Sequence, residues 1–171
     1  MHLDHEIPPL ELVDEAATVR LAQQLARSLE AHTSAVRSHG FNLRLTGDLG
    51  AGKTAFTRAL LRALGVTGRV RSPTFELVED YDVLDGIEFH HFDFYRFESP
   101  VEFDEAGFRD LFGTNRITVC EWSEKAAPYL PACDAQITLT NEGATPDSRR
   151  ARIELHSELA DIVFAEVLRE N

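Results

Sequence analysis

Lysine is scarce in this 171-residue sequence: Lys53 and Lys125 stand against 15 arginines. Cysteine is scarcer in effect, because Cys120 and Cys133 lack the CxxC spacing of a dithiol redox motif or a zinc knuckle and read as ordinary half-buried thiols. Long apolar runs are missing. The longest stretch without Asp, Glu, Lys or Arg is the eight residues from Ala126 to Cys133, far below the roughly 20 that a membrane-crossing helix needs. The opening MHLDHEIPPLELVDE carries acids and prolines where a secretory leader needs a basic end and an apolar core, so a cytoplasmic location is expected. Positive charge is also short, with 17 Lys plus Arg facing 29 Asp plus Glu for a net of −12. That balance argues against unspecific binding to a phosphate backbone. Internal repeats and low-complexity tracts are absent, and 43% apolar with 27% charged residues is a globular balance. One domain spanning residues 1–171 is expected.

The periodicities that are present alternate between strand and helix. Leu21, Leu25, Leu29 and Val36 predict one long amphipathic helix from Asp14, a plausible N-cap, to about His39, ended by Gly40. Phe41–Leu45 alternates as a strand, residues 47–54 form a glycine-rich turn, and Lys53–Leu64 predicts a second helix stopped at Gly65. Phe75–Tyr81 and Ile87–Phe92 flank Asp85-Gly86 and read as a hairpin. A short helix from Pro100 to Glu105 is expected, with Phe103, Phe108, Leu111 and Phe112 as an apolar face. Ile117–Glu121 reads as a buried strand ending in a carboxylate. Ala135–Thr140 and Arg152–His156 predict two further strands, and Glu158–Arg169 a final helix with Leu159, Ile162, Val163 and Val167 inside. The pattern gives an α/β, three-layer domain like that of the P-loop NTPases, with a mixed central sheet, a hairpin and flanking helices.

Gly47-Asp48-Leu49-Gly50-Ala51-Gly52-Lys53-Thr54 matches GxxxxGK[ST], a pattern expected by chance in such a composition on the order of one time in a thousand. Its place after a strand and at the start of a helix is where phosphate chemistry needs it. Glycines let backbone N–H groups approach phosphate oxygens, and the helix turns its positive end to the same anion. Lys53 would reach the β and γ phosphates, and the Thr54 hydroxyl would take one position on an octahedral Mg²⁺. Such a loop needs an acid at a neighbouring strand end, and Asp93 and Glu121 both qualify. His90 and His91, adjacent in a strand, point to opposite faces and cannot readily grip one ion. One is expected at the surface and the other in support of the Asp93 turn.

Four segments, GDLGAGKT at 47–54, SPTFELVEDY at 72–81, HFDFYR at 91–96 and EWSEK at 121–125, occur in an order that closely resembles the TsaE (YjeE) family of bacterial ATPases. Phe75, Phe94 and Phe97 depart from the family's usual Tyr and Leu without touching the chemistry. The resemblance implies an ATP-binding and hydrolysing protein that uses Mg²⁺ in forming threonylcarbamoyladenosine beside the tRNA anticodon. Its implied partners are TsaD and TsaB, with tRNA reached indirectly through them and no membrane. Carried onto this sequence, the catalytic set is Lys53, Asp93, Glu121 and Thr74, the last in a segment that senses the γ-phosphate. Thr54, Glu121 and Asp93 are the implied metal residues, Asp93 acting through water or as a base. Nucleotide contacts are implied for Leu49, Gly50, Ala51, Gly52, Lys53, Thr54 and Ala55, with Trp122 nearby. An arginine before the last strand is also implied, and among Arg149, Arg150 and Arg152 the choice falls on Arg150. A small GTPase is disfavoured because Ser123-Glu124-Lys125-Ala126 supplies no NKxD element for guanine. A small P-loop kinase and a nucleotide-gated binding module without turnover are the alternatives.

Overall fold

The computed structural model describes residues 2–73 and 75–169. In chain order its elements are β1 (His5–Glu6), β2 (Leu10–Leu12), α1 (Glu15–Ala31), α2 (Thr33–His39), β3 (Phe41–Thr46), α3 (Lys53–Ala63), β4 (Val78–Val83), β5 (Ile87–Asp93), α4 (Val101–Glu105), β6 (Arg116–Glu121), β7 (Ala135–Asn141), β8 (Arg149–Leu155) and α5 (Glu158–Arg169). The sheet runs β1-β8-β7-β3-β6-β5-β4, with β2 also on β8. β3 lies between β6 and β7 and is parallel to both, and β5 is parallel to β6. The edges are antiparallel: β4 folds back on β5, while β1 and β2 lie against β8. A parallel centre has both faces covered, which is why β3 and β6 are buried along nearly their whole length.

On one face α1, α3 and α5 pack side by side over a core that includes Leu21, Leu25, Leu29, Phe56, Leu60 and Phe164. Asp14 caps α1, its carboxylate accepting the Ala17 N–H at 2.8 Å. The other face is covered thinly, by α4, a 3₁₀ turn at Phe108–Leu111 and a cluster in which Phe92, Phe94, Phe97 and Phe103 surround buried Cys120. The three layers expected from the sequence are therefore unequal. Both cysteines are free, and burial pushes both thiols up. Cys120 is wholly buried rather than half-buried. Among the described residues no helix is long and apolar enough to cross a membrane.

Several boundaries differ from the periodicity. The first helix breaks at His32, which sits at φ −114° and ψ 32° with its ring bonded to the Ser28 carbonyl, so α2 begins afresh at Thr33. β4 starts at Val78 rather than Phe75, because Leu77 adopts φ 68° and Phe75 is 79% exposed. β8 starts three residues before Arg152 and ends at Leu155. In α5 the inner face takes Ala160 and Phe164, whereas Ile162 is 50% exposed.

Candidate functional site

The glycine loop leaves the C-terminal end of β3, the strand with parallel neighbours on both sides. A side chain at Gly47 would stand 2.6 Å from the Leu139 carbonyl and 3.0 Å from the Ala51 Cβ, so only hydrogen fits there. Gly52 sits at φ +104°, the left-handed region that glycine occupies without strain, and starts α3 with no side-chain cap. The first-turn amides of a helix have no intrahelical partner, and here Thr54 and Ala55 open them onto a cavity of about 400 Å³. Leu49, Gly50 and Gly52 line the same cavity, with Lys53, Asp93, Glu121 and Trp122. A second cavity of about 390 Å³ lies beyond Lys53 and Trp122, against the β7 end at Thr138–Asn141, with Ala51 in its wall.

Asp93 and Glu121 are partners in register at the ends of β5 and β6. Alternation puts His91 on the face of Asp93, the face whose Ile87 and Phe89 share a core with Phe56 and Leu60 of α3. Glu121 is 6% exposed; its Oε2 accepts a hydrogen bond from His91 Nε2 at 2.6 Å, and its Oε1 stands 3.8 Å from Lys53 Nζ. The Nδ1 of His91 is buried with no hydrogen-bond partner among the described residues. Asp93 accepts the Tyr95 N–H at 2.9 Å, a local turn that aims the carboxylate. Burial raises the Asp93 carboxyl above the usual value; the Tyr95 N–H opposes this, and the charge of Glu121 adds to it.

Trp122 holds φ 57°, a left-handed turn that swings its ring out of β6. The Lys53 ammonium lies 4.3 Å from that ring's centroid, Tyr95 packs against it at 4.9 Å, and the Lys125 ammonium lies 5.5 Å from the Tyr95 ring. Both lysines thus end on one aromatic pair.

Most of the residues singled out in the sequence converge here. Thr74 lies outside the described residues, next to exposed Phe75, on whose ring Arg96 stacks at 4.3 Å. The histidines correct the expectation: neither is at the surface, and His91 supports Glu121 rather than the Asp93 turn. His90 is buried on the opposite face of β5, between Asp80 at 2.6 Å and Glu88 at 3.0 Å. Arg150 is not brought to the loop; its guanidinium meets Glu11 at 2.7 Å. Arg149 is the arginine on the loop, donating to the Ala51 carbonyl at 2.6 Å and the Gly50 carbonyl at 3.0 Å. The signal for it is alternation, since Arg149 shares its strand face with buried Ala151, Ile153 and Leu155.

Residues 12–151 match the family described as threonylcarbamoyl adenosine biosynthesis protein TsaE. A tRNA threonylcarbamoyladenosine biosynthesis protein TsaE from Haemophilus influenzae is 40% identical over 127 residues, covering 74% of this chain and 77% of that protein. One from Bacillus subtilis is 37% identical over 112 residues, covering 65% and 68%. The crystal structure of Bacillus subtilis YdiB superposes with a TM-score of 0.72 at 26% identity, covering 99% of each chain.

Proposed function

Since this chain belongs to the TsaE family of threonylcarbamoyladenosine biosynthesis proteins, we propose that it binds ATP and Mg²⁺ and hydrolyses the nucleotide as its part in that tRNA modification, faster in the presence of TsaD and TsaB. The observation that carries the reading is one cavity holding an uncapped helix start, Lys53, Thr54 and two in-register carboxylates. The residues fit a nucleotide phosphate chain: the cradle at Gly47 admits no side chain, and the start of α3 offers amides without a side-chain competitor. They also fit Mg²⁺, a hard ion that takes hydroxyl and carboxylate oxygens. Thr54 and Glu121 would hold it, with Asp93 close enough to act through water. When bound, Mg²⁺ would offset charge on the β- and γ-phosphate oxygens.

The rest follows from side chains. Lys53, held between Glu121 and Trp122, leaves both to reach phosphate, which frees Glu121 Oε1 while His91 keeps Oε2 in place. Burial and the neighbouring charge make Asp93 a better proton acceptor than an ordinary aspartate, suited to orienting or deprotonating an attacking water. Arg149 fixes the loop by holding the carbonyls of Gly50 and Ala51, while the Ala51 N–H between them closes a turn onto the Asp48 carbonyl. A net charge of −12 supports tRNA being held mainly by the partners.

The test is phosphate release from ATP by the full chain, alone and with TsaB and TsaD. Slow Mg²⁺-dependent release that rises with the partners and vanishes in Lys53→Ala is expected. Equal rates with and without partners would overturn the stimulation, full turnover in Lys53→Ala would overturn the loop assignment, and label passing to a hydroxyl acceptor would mark a kinase.

A further inference from the structure

At the sheet edge formed by β1, two histidines of the N-terminal segment converge on one carboxylate of α5. His2 Nε2 lies 2.9 Å from Asp161 Oδ2, and His5 Nε2 lies 3.6 Å from Asp161 Oδ1. One ligand atom from each of the three residues lies within 4.8 Å of the other two. The first contact is a hydrogen bond; the second is too long to be one. Hydrogen bonding elsewhere sharpens the contrast. The Nδ1 of His5 contacts the Leu3 carbonyl at 3.1 Å, and because a carbonyl only accepts, Nδ1 carries the proton. In the neutral ring, Nε2 then presents a lone pair to Asp161 Oδ1, itself a buried acceptor without a hydrogen-bond partner among the described residues. Two acceptors facing each other across 3.6 Å call for a cation between them.

We propose that His2, His5 and Asp161 form a binding site for a first-row divalent transition-metal ion of the Zn²⁺ class. A tetrahedral ion with bonds of about 2.0–2.1 Å to nitrogen and oxygen holds its ligand atoms roughly 3.3 Å apart. The observed 2.9 and 3.6 Å, one to each Asp161 oxygen, lie on either side of that spacing, so small rotamer adjustments supply three ligands and water would take the fourth position. His5 and Asp161 are 47% and 39% exposed at the side chain, which leaves them room to adjust and gives the ion a path in. Two imidazoles with one carboxylate select zinc, cobalt or nickel over magnesium, so the site is chemically separate from the phosphate cavity. The remaining ring nitrogen of His2 stands 3.7 Å from Asp4 Oδ1, too far for a hydrogen bond, and Asp4 Oδ2 lies 3.2 Å from His156 Nδ1. Metal-bound imidazoles characteristically turn their second nitrogen toward a carboxylate, and a small shift of the exposed Asp4 side chain would supply that bond. Occupied, the site clasps the segment around β1, which has two residues paired on β8, to the first turn of α5.

The experiment titrates metal-stripped full-length protein with Zn²⁺ by calorimetry and with Co²⁺ by its visible bands at pH 7.5. One equivalent is expected to bind, with the bands of nitrogen and oxygen ligation and a rise in melting temperature. His5→Ala and Asp161→Asn, both at partly exposed positions, should each weaken binding about 10-fold or more and remove the thermal shift. ATP binding should stay as in the unaltered chain, so this outcome is separate from the fate of the ATPase reading. Absence of saturable uptake at 100-fold excess of ion, or uptake equally strong in both variants, would overturn the proposal.

Discussion

Replacing His91 by alanine isolates the support of the proposed metal carboxylate. The ring supplies the hydrogen bond to Glu121 Oε2, and without it this buried carboxylate keeps, among the described residues, only the Lys53 ammonium, at 3.8 Å. A hydrogen bond to a charged group contributes about 1.5–3 kcal/mol net. Losing a partner of a metal-bound side chain costs about 10–100-fold in metal affinity, which is the same range expressed as binding. The Mg²⁺ midpoint for nucleotide binding should therefore rise about 10–100-fold, while binding measured in chelator falls much less. Trp122, the only tryptophan, touches Lys53 and so supplies a fluorescence readout of nucleotide at each Mg²⁺ concentration. His91→Gln restores an N–H donor and should recover part of the loss. A folded His91→Ala protein whose Mg²⁺ midpoint stays within about twofold of the parent would refute the argument, as would an equal loss in His91→Gln.

Two further perturbations separate neighbouring roles. Arg149→Met removes the donors to Gly50 and Ala51 and should weaken nucleotide binding about 10-fold through loss of loop shape, whereas Arg150→Met, which breaks only contacts to Glu11 and Glu142, should leave it unchanged; calorimetric ATP titration of both checks this, and the reverse order would defeat it. Asp93→Asn should raise the melting temperature at pH 8 while abolishing turnover. The sign follows from the raised carboxyl: the folded chain holds a proton that the unfolded chain has already lost, so ionisation disfavours the fold as pH rises through the folded value, and below the ordinary 3.8 the difference disappears. Asparagine can still accept the Tyr95 N–H, so the advantage over aspartate should shrink as pH falls from 8 toward the ordinary 3.8; a gap that does not change with pH would contradict it.

The central strands, the loop and both carboxylates were legible because their signals are local. The hydrophobic runs of β3 and β6 mark strands buried on both faces, and an acid at the end of such a run stands out. What escaped depends on side-chain competition or on register. Helical spacing from Leu29 to Val36 is the same whether or not the backbone breaks at His32, and the break follows from hydrogen bonds of His32 to the preceding turn. Reading the last strand from Arg152 left Arg149 and Arg150 in a turn, where no face distinguishes them; with β8 starting at Arg149, alternation assigns one to the loop and the other to the opposite face. The histidine pair was visible as a surface residue and a support for the Asp93 turn, but the bond of His91 to Glu121 depends on how β5 and β6 align. β1 and β2 are too short, beside Pro8 and Pro9, for any alternation to show. The match over residues 12–151 begins at the last residue of β2, so the two histidines of the cluster lie before it and Asp161 after it.

The contacts that shape the glycine loop come from late in the chain: the Leu139 carbonyl against Gly47, and Arg149 on a carbonyl 99 residues earlier in sequence. During synthesis the ribosome releases the whole GDLGAGKT segment long before it makes the hairpin that frames it. Until β7 and β8 have docked, those eight residues lack the Leu139 and Arg149 contacts that frame them in the folded chain. The shape of the loop thus depends on strands made much later in the chain, and a nascent chain cut short before β8 carries the complete motif without the Arg149 contacts that hold it.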